Sequence, residues 1–464
     1  KRSNSKNSIM HQNQNPNPTG VESRRSFLQK TAVATAAVSA FKTPVYGQTT
    51  APSTGRVIGA NDRIVVGFVG LGGQGMLHLR TIKGNAEKNN TAIGAVCDLW
   101  KKRLEAAKAE AGGDPKTYDD YRKMLENKDI DAVLCATVDH WHARVSLDAM
   151  KAGKHIYVEK PMSRYLPEAY EVWDTVKATG KVFQVGSQGC SDAKWHKCAE
   201  LIKEDKIGPL VLGQGSYMRN TPKGEWNYSI DRDLKVDNVD WKYWLGPDIK
   251  KKVDFSADDF FRWRKYYPYC AGLLGDLFPH RLHPLVLATG NPEFPLRVAA
   301  IGTKKIGTDK NTPGTPVRDC PECLTLIADF PSGYSLIVCS SSVNEQGIPD
   351  VIRGHHATLS IGGTKVELRP ERPFSEEIDP ESFDNLTPAE DIGVHESNWL
   401  SCIRSGKAPN ADIELAIRVQ TIVSLGEMAD RLGITCHFDE KTRKVSDGSG
   451  KEVALLNYGV KDPS

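Results

Sequence analysis

The sequence predicts an α/β protein: a doubly wound parallel sheet in the first half, then an α+β domain with a large, open, mainly antiparallel sheet. Two observations predict the first half. Continuous apolar runs of strand length alternate with helical segments, and the first run ends in a glycine-rich turn. The second half is predicted because apolar and polar residues alternate in short runs between residues 296 and 368, as in strands buried on one face.

The first strand and its turn carry a nucleotide-binding signature. The apolar run 64–69 leads into Gly70-Leu71-Gly72-Gly73-Gln74-Gly75, which contains GxGxxG, and a helix is predicted over 76–82. These glycines allow a tight turn and a close approach of the backbone to a pyrophosphate, and the free N–H groups of the helix face the anion. The motif is weak alone, and the second strand of the chain strengthens it.

This second apolar strand, residues 92–97, ends in Asp98, which lies 23 residues after Gly75. Dinucleotide-binding folds place a ribose-binding acid at about this distance, roughly 20 residues on. An aspartate there accepts hydrogen bonds from both ribose hydroxyls and repels a 2′-phosphate, so NAD is the expected cofactor. The basic stretch 101–103 either pairs with a 2′-phosphate, which keeps NADP as an alternative, or forms the solvated start of a helix.

Two further strands complete the predicted parallel sheet. A helix is expected over 118–126, a strand over 132–137, a helix over 143–152 and a strand over 155–158. Ligands of such sheets bind at the carboxyl ends of the strands. Besides the glycine turn and Asp98, the residues expected to contact the cofactor therefore are Thr137, His140, Trp141, His142, Glu159 and Lys160.

The order of these motifs, ending in Glu159-Lys160-Pro161, resembles the family of glucose-fructose oxidoreductase, inositol dehydrogenase and MocA (Gfo/Idh/MocA). The resemblance continues through 202–208, 244–247, 275–280 and 398–409, so it covers roughly residues 63–433. It implies an N-terminal Rossmann nicotinamide domain, a β-rich second domain and redox chemistry on sugars or polyols. Where relatives often have glycines this chain has Cys270-Ala271, which puts the local backbone near the substrate in doubt.

The resemblance also implies that Lys160, Asp276 and His280 are catalytic. Oxidising a carbinol needs a base for the hydroxyl proton and an electrophile for the developing alkoxide, and His280 and Lys160 fit these needs. Asp276, His280 and His283 are spaced i, i+4 and i+7, so their side chains would lie on one face of a helix over 277–289. Asp276 would then lie near the helix N-cap and orient His280, because Pro279 is tolerated only in the first turn.

Substrate contacts are expected from Arg219, Arg264 and His283. Residues 217–220 and the aromatic run 260–269 supply flat faces and donors suited to a sugar ring, or they pack at a domain interface. His283 is either structural or substrate-lining. Two alternatives stay open. The first is an NAD-dependent redox-type glycosidase, although that branch of the family lacks the lysine that matches Lys160. The second is a cofactor-binding sensor, against which the presence of Lys160, Asp276 and His280 together argues.

Composition limits the partners to small molecules. The 61 Lys and Arg residues exceed the 58 Asp and Glu residues by only three and form no long basic block, so no nucleic acid partner is expected. No apolar run is long enough for a membrane span. The ten cysteines include one CxxC motif, Cys320 and Cys323, and no second pair of metal ligands follows it, so no metal site is predicted. Whether these two thiols are paired stays open.

The outer face of the second sheet is expected to pair subunits, so that the protein forms a homo-oligomer, a dimer or a tetramer.

The first 50 residues predict a disordered leader with an export signal. Arg24-Arg25 precedes a short, alanine-rich apolar run, 31–41, as in twin-arginine signals, although Gln29 stands where lysine is common. Cleavage near Gly47, the twin-arginine machinery as a partner and a periplasmic or otherwise exported location are expected in consequence. The predicted domains are residues 1–50 (leader and signal), 61–185 (Rossmann), 186–390 (substrate and oligomerisation) and 391–464 (C-terminal helix and tail packing on the first domain).

Overall fold

The computed structural model describes residues 62–249, 254–386 and 390–458, so the predicted export signal lies outside the described residues. The first sheet has six parallel strands in the order β3-β2-β1-β4-β5-β6. These strands are β1 (Ile64–Val69), β2 (Thr91–Cys97), β3 (Lys116–Tyr118), β4 (Ala132–Cys135), β5 (His155–Glu159) and β6 (Phe183–Gly186). Four of them are buried almost throughout because helices cover both faces of the sheet, which confirms the doubly wound prediction.

Helices connect these strands in βαβ units. They are α1 (Gly73–Gly84), α2 (Ala86–Asn89), α3 (Lys101–Ala111), α4 (Tyr121–Leu125), α5 (Asp139–Lys151), α6 (Leu166–Thr179) and α7 (Ala193–Lys203). The helix predicted over 118–126 is wrong at its start, where the edge strand β3 stands instead. Its Lys-Thr-Tyr sequence is largely exposed, so it has none of the apolar pattern that marks the central strands.

The second sheet has twelve strands in the order β15-β14-β13-β12-β7-β10-β9-β8-β16-β17-β18, with β11 paired to β7. Only β7 and β10 pair in parallel, so the sheet is mainly antiparallel as predicted. Its strands are β7 (Leu210–Asn220), β8 (Arg297–Thr303), β9 (Cys323–Asp329), β10 (Ser335–Ser341), β11 (Val343–Asn344), β12 (Asp350–Gly354), β13 (Ala357–Gly362), β14 (Lys365–Pro370), β15 (Glu381–Phe383), β16 (Cys436–Asp439), β17 (Lys444–Ser446) and β18 (Glu452–Val453).

Helices cover one face of the second sheet and join it to the first. They are α8 (Trp241–Leu245), α9 (Ala257–Arg262), α10 (Leu273–Asp276), α11 (Pro279–Ala288), α12 (Ile392–Ser405) and α13 (Ile413–Leu432). Helix α13 packs against both α6 and β8, while α12 packs on α1 and β6. Arg164, before α6, forms a buried ion pair with Glu427 of α13 at 2.6 Å. Helix α13 thus joins the two sheets, while α12 packs on the first.

Residues 221–249, which we call the strap, cross from the second sheet to the first. Within the strap the Trp244 carbonyl accepts hydrogen bonds from His140 Nε2 at 3.0 Å and from Trp141 Nε1 at 2.8 Å. Tyr243 stacks on Trp141 with ring centroids 5.2 Å apart. Strap side chains also share a buried aromatic cluster with Trp100 and with the segment 260–270. The strap therefore packs over the carboxyl ends of the first sheet.

All ten cysteines are free thiols, and the neighbour of Cys320 is Cys270, with the sulfur atoms 4.0 Å apart, rather than Cys323. Among the described helices none has the length and apolar character needed to cross a bilayer.

Candidate functional site

The glycine turn forms one wall of a cavity of about 420 Å³ that the strap closes on the other side. Gly70 has φ +85°, and a Cβ at Gly75 would lie 1.9 Å from the Gly70 carbonyl oxygen, so both positions require glycine. A Cβ at Gly73 would meet no atom within 4 Å. The turn therefore folds tightly on its sheet side and leaves open space on its cavity side, as a bound pyrophosphate requires.

Asp98 lies in the lining of this cavity, at the end of β2. Its carboxylate accepts hydrogen bonds from the backbone N–H groups of Leu71 and Trp100 at 2.8 and 2.9 Å. Lys102 is exposed and paired with two strap aspartates, whereas Arg103 lines the cavity beside Phe260, 4.8 Å from the ring centroid. The acid is thus held in place at the turn, while Arg103 is the single residue of the basic stretch 101–103 that lines this cavity. The open glycine turn, the acceptor Asp98 and the cation Arg103 together fit a dinucleotide.

A second, smaller cavity of about 190 Å³ adjoins the first and shares part of its lining. The residues that line both are Gln74, Ala136, Thr137, Tyr228 and Arg264. The small cavity is otherwise lined by Asp139, His142, Glu159, Lys160, Gln188, Arg219, Asp276 and His280. A ligand that lies along the glycine turn can therefore extend into a chamber that holds the predicted catalytic residues.

Lys160 and Asp276 form the central contact of the small cavity. Lys160 Nζ donates to the Asp276 carboxylate at 2.6 Å and to its backbone carbonyl at 2.8 Å. Arg264 Nε at 3.1 Å and Trp226 Nε1 at 2.9 Å donate to the same carboxylate. Burial opposes the charge of Asp276, but Lys160 and Arg264 hold the pKa of its carboxyl well below its usual range. Asp276 is therefore ionised and anchors the ammonium group.

His280 has other partners than the sequence predicts. Its ring stacks on Tyr217 with centroids 4.2 Å apart, and its Nδ1 lies 3.5 Å from the Glu390 carboxylate. Burial lowers the pKa of His280, and the Lys160 charge lowers it further, while Glu390 acts in the opposite direction. The imidazole is thus neutral near pH 7 and able to accept a proton.

The predicted helix over 277–289 is wrong in its start, and with it the N-cap role of Asp276. Asp276 ends the short helix α10, while α11 begins at Pro279 with Phe278 as its N-cap residue. This break turns the Asp276 carboxylate toward Lys160, and no hydrogen bond joins it to His280 among the described residues. Glu390 is the acid beside the histidine, and no spacing or motif in the sequence indicated it.

The remaining predicted contacts are divided: two of them line neither cavity, and two line the cavity in which they were expected. His283 lines neither cavity and is buried against Ser187, whose hydroxyl lies 2.9 Å from its Nδ1, as the structural alternative for this histidine would have it. His140 is bound to the strap carbonyl and also lines neither cavity. Trp141 lines the large cavity, and Arg219 lines the small one, paired with Glu225 at 2.9 Å.

A buried charged network supports Glu159 from below the cavity. His78 of α1 donates to Glu159 and to Glu396 of α12, each at 2.7 Å. Burial alone would lower the pKa of His78, but the two carboxylates raise it to about 9. Glu159 also accepts from Gln74 of the glycine turn at 3.2 Å. The network therefore joins the turn helix, the end of β5 and the C-terminal helices.

Comparison with known proteins agrees with the architecture. Residues 64–187 match the Gfo/Idh/MocA profile, an oxidoreductase family with an NAD-binding Rossmann fold. Glycosyl hydrolase family 109 protein 1 of Akkermansia muciniphila is 29% identical over 216 residues, 43% of this chain and 44% of that protein. Inositol 2-dehydrogenase/D-chiro-inositol 3-dehydrogenase of Lactiplantibacillus plantarum is 27% identical over 185 residues, 39% of this chain and 51% of that protein. The chain thus spans about half the length of these curated relatives.

Solved structures match nearly the whole described fold. An oxidoreductase domain protein from Kribbella flavida superposes with TM-score 0.64 at 17% identity, over 82% of this chain and 100% of the other. Levoglucosan dehydrogenase in complex with NADH and levoglucosan superposes with TM-score 0.60 at 16% identity, over 80% of this chain and 98% of the other. At such identities these matches establish the fold. Residues 64–187 thus form an NAD-binding Rossmann domain that is similar to that of the Gfo/Idh/MocA oxidoreductases.

Proposed function

We propose that the chain is an NAD-dependent dehydrogenase that oxidises a hydroxyl group of a carbohydrate or polyol, or reduces the matching ketone. The observation that carries this proposal is the Lys160 ammonium, which is anchored by Asp276 inside a small cavity continuous with the glycine-turn cavity. A pure nucleotide-binding sensor would need the turn and Asp98, but not this lysine–carboxylate pair beside a neutral histidine.

The large cavity would hold the nucleotide. Gly72 and Gly73 would lie along the pyrophosphate, Asp98 would accept from the ribose hydroxyls, and Arg103 with Phe260 would flank the adenine side. When bound there, NAD supplies the hydride acceptor, and its reduced form the hydride donor. The strap residues Trp244 and Tyr243 exclude water from this side of the cavity.

The chain's own residues handle the proton and the developing charge. His280, neutral because burial lowers its pKa, takes the hydroxyl proton, and Glu390 stabilises the imidazolium that results. Lys160 donates a hydrogen bond to the alkoxide oxygen as the hydride leaves the carbon. Asp276 keeps the Lys160 ammonium in place, so that no reorganisation is needed at the moment of reaction.

The lining of the small cavity favours a polyhydroxylated substrate. Arg219 and Arg264 place donors around a chamber in which most of the lining is polar. The relatives named for inositol oxidation, and the levoglucosan-bound fold relative, add support for this substrate class.

The test is direct. The purified protein is denatured, any released nucleotide is identified by mass spectrometry, and a panel of sugars and polyols is then followed at the nicotinamide absorbance. We expect bound or bindable NAD and a substrate-dependent absorbance change. A protein that binds no nicotinamide nucleotide, or that binds it and turns over no member of a broad panel in either direction, would refute the proposal.

A redox-type glycosidase is the second candidate, because glycosyl hydrolase family 109 proteins stand among the relatives. The same residues would then oxidise a sugar hydroxyl, allow elimination of the aglycone and reduce the sugar again. Release of p-nitrophenol from nitrophenyl glycosides, dependent on NAD and without net absorbance change of the nicotinamide, would favour this candidate over the dehydrogenase.

We also propose that the chain forms a homo-oligomer through the outer face of the second sheet. Ile301 of β8 is 75% exposed, and Ile327 of the adjacent strand β9 is 47% exposed. Covering such a face is favourable because it removes apolar side chains from water. Light scattering should give a dimer or tetramer, and replacing both residues with lysine should give monomers; a monomeric wild type would refute this.

Export by the twin-arginine pathway is a further proposal, supported by the Arg24-Arg25 pair and the short apolar run after it. Replacing both arginines with lysine should leave the precursor in the cytoplasm of an expression host. Export unaffected by this change would exclude the twin-arginine route.

A further inference from the structure

Asp139 is the buried acid that the function above does not use. It is the first residue of α5, only 4% of it is exposed, and its side chain lines the small cavity. Within the described part of the chain no donor forms a hydrogen bond with its carboxyl group. A cavity-lining carboxyl that binds no protein donor is available to an occupant of that cavity, and such an occupant would compensate part of the cost of its burial.

Charged groups of both signs act on Asp139. The cations Arg264 and Lys160, which line the same cavity, and Arg164 lower its pKa, while the Asp276 carboxylate raises it. His142, on the same helix, donates its Nδ1 proton to the Pro161 carbonyl and is neutral, since burial lowers its pKa to about 4. A single added charge can therefore decide whether the Asp139 carboxyl is protonated.

The local packing leaves space beside this carboxyl. A Cβ at Gly275 would lie 3.4 Å from Asp139 Oδ2, so any larger residue there would occupy the space next to the acid. In a cavity of about 190 Å³, a charged occupant lies within a few ångströms of it. An opposite charge at such a distance lowers a carboxyl pKa by about 1–3.

We propose that Asp139 is the proton-exchanging carboxyl of this site, which ionises when the positively charged oxidised nicotinamide enters and regains a proton when the nicotinamide is reduced. The inference rests on the proposed function, because it requires the nicotinamide to reach the small cavity. Burial and the negative charge of Asp276 raise the pKa of Asp139 to about 7, although the positive charges of Arg264 and Lys160 act in the opposite direction. The protonated and the ionised carboxyl are therefore both accessible near pH 7.

The balance of the reaction then closes within the site. In oxidation the substrate C–H bond breaks with its electron pair going to the nicotinamide, the O–H proton goes to His280, and the C=O bond forms. The nicotinamide would lose its positive charge in this step, and the Asp139 carboxylate would take up the proton that His280 received from the substrate, which leaves His280 neutral again. The proton that the overall oxidation yields therefore reaches solvent when the oxidised nucleotide binds to the protonated form of Asp139, rather than when the hydride is transferred.

Calorimetric titration tests this without turnover. NAD and NADH are each titrated into the wild-type protein in buffers of different ionisation enthalpy, which counts the protons released on binding. With a pKa of about 7, NAD binding should release about half a proton near pH 7. Its affinity should rise about tenfold between about pH 6 and about pH 8. NADH binding should release far less and should depend little on pH.

Two variants test whether the proton released on NAD binding comes from Asp139. Asp139→Asn should bind NAD without the release and without the pH dependence. Glu168→Gln is the matched control: burial also raises the pKa of Glu168 to about 7, but this residue bonds to Tyr458 and lines neither cavity, so the release should persist.

The outcomes separate the two proposals. Failure of wild type to bind either nucleotide would overturn the proposed function and this inference with it. NAD binding with no proton release, or with equal release in Asp139→Asn, would overturn the inference alone. If Asp139→Asn does not fold, the wild-type difference between NAD and NADH still decides, because equal proton counts for the two nucleotides contradict the proposal.

Discussion

The His78 network makes a prediction that can be worked out from the structure. His78 is fully buried between Glu159 and Glu396, and these partners raise its pKa to about 9, against an ordinary value of 6.5. One pKa unit corresponds to about 1.4 kcal/mol, so this difference corresponds to about 3 kcal/mol of folding free energy. Because the folded-state pKa is the higher one, the full contribution is present below about pH 6.5 and is lost as the pH rises through about 9.

The perturbation is His78→Gln, which keeps one donor and removes the titrating charge. Urea unfolding of wild type and variant is followed by far-ultraviolet circular dichroism at about pH 6.5, pH 8 and pH 9.5. The unfolding free energy of the variant should be lower than that of wild type by about 3–5 kcal/mol at the lowest pH, as when a buried ion pair loses one partner. This difference in unfolding free energy should narrow by about 3 kcal/mol as the pH rises, because only wild type loses the stabilisation that the charge on His78 provides.

His155→Gln serves as the control for alkaline pH. Burial lowers the pKa of His155 to about 4, so this residue is neutral in both states at pH 8 and above, and there its variant should run parallel to wild type. A gap between wild type and His78→Gln that stays constant from pH 6.5 to 9.5 would refute the assignment of the charge to His78.

Three further predictions concern the site. Lys160→Met should lower kcat by about 10² to 10⁴ while isothermal titration still detects NADH; unchanged kcat would remove Lys160 from the reaction. Glu390→Gln should lower kcat less and move the acidic limb of the rate profile to lower pH, because Glu390 raises the pKa of His280; an unmoved limb would show that this contact is not used. Asp98→Ala should weaken NAD binding more than NADP binding, measured as the ratio of their Kd values; an equal loss would contradict the ribose role.

What the sequence could predict depended on how local the signal was. The strands of the first sheet are short apolar runs, so their positions, and the acid and lysine at their carboxyl ends, can be read from local pattern. Asp98 and Lys160 were found in this way. The exposed edge strand β3 was missed because its three residues carry no such pattern.

The partners within the site are not local. Glu390 comes 110 residues after His280, from the segment before α12, and only the packing of that segment on α11 brings them together. Asp276 was assigned to His280 by helical spacing, but the break between α10 and α11 redirects it to Lys160. Asp139 stands in a segment whose two histidines were predicted to contact the cofactor, and its own role emerges only from its burial near four charged groups.

The aromatic cluster beneath the strap gives the protein a built-in optical reporter. Of nine tryptophans, Trp141, Trp244 and Trp263 line the large cavity, and Trp100 and Trp241 lie in the adjoining cluster. Indole emission overlaps the absorption of a reduced nicotinamide, so energy transfer from these rings should quench the intrinsic fluorescence as the cavity fills. Occupancy can then be followed in the purified, unlabelled protein and on the stopped-flow timescale.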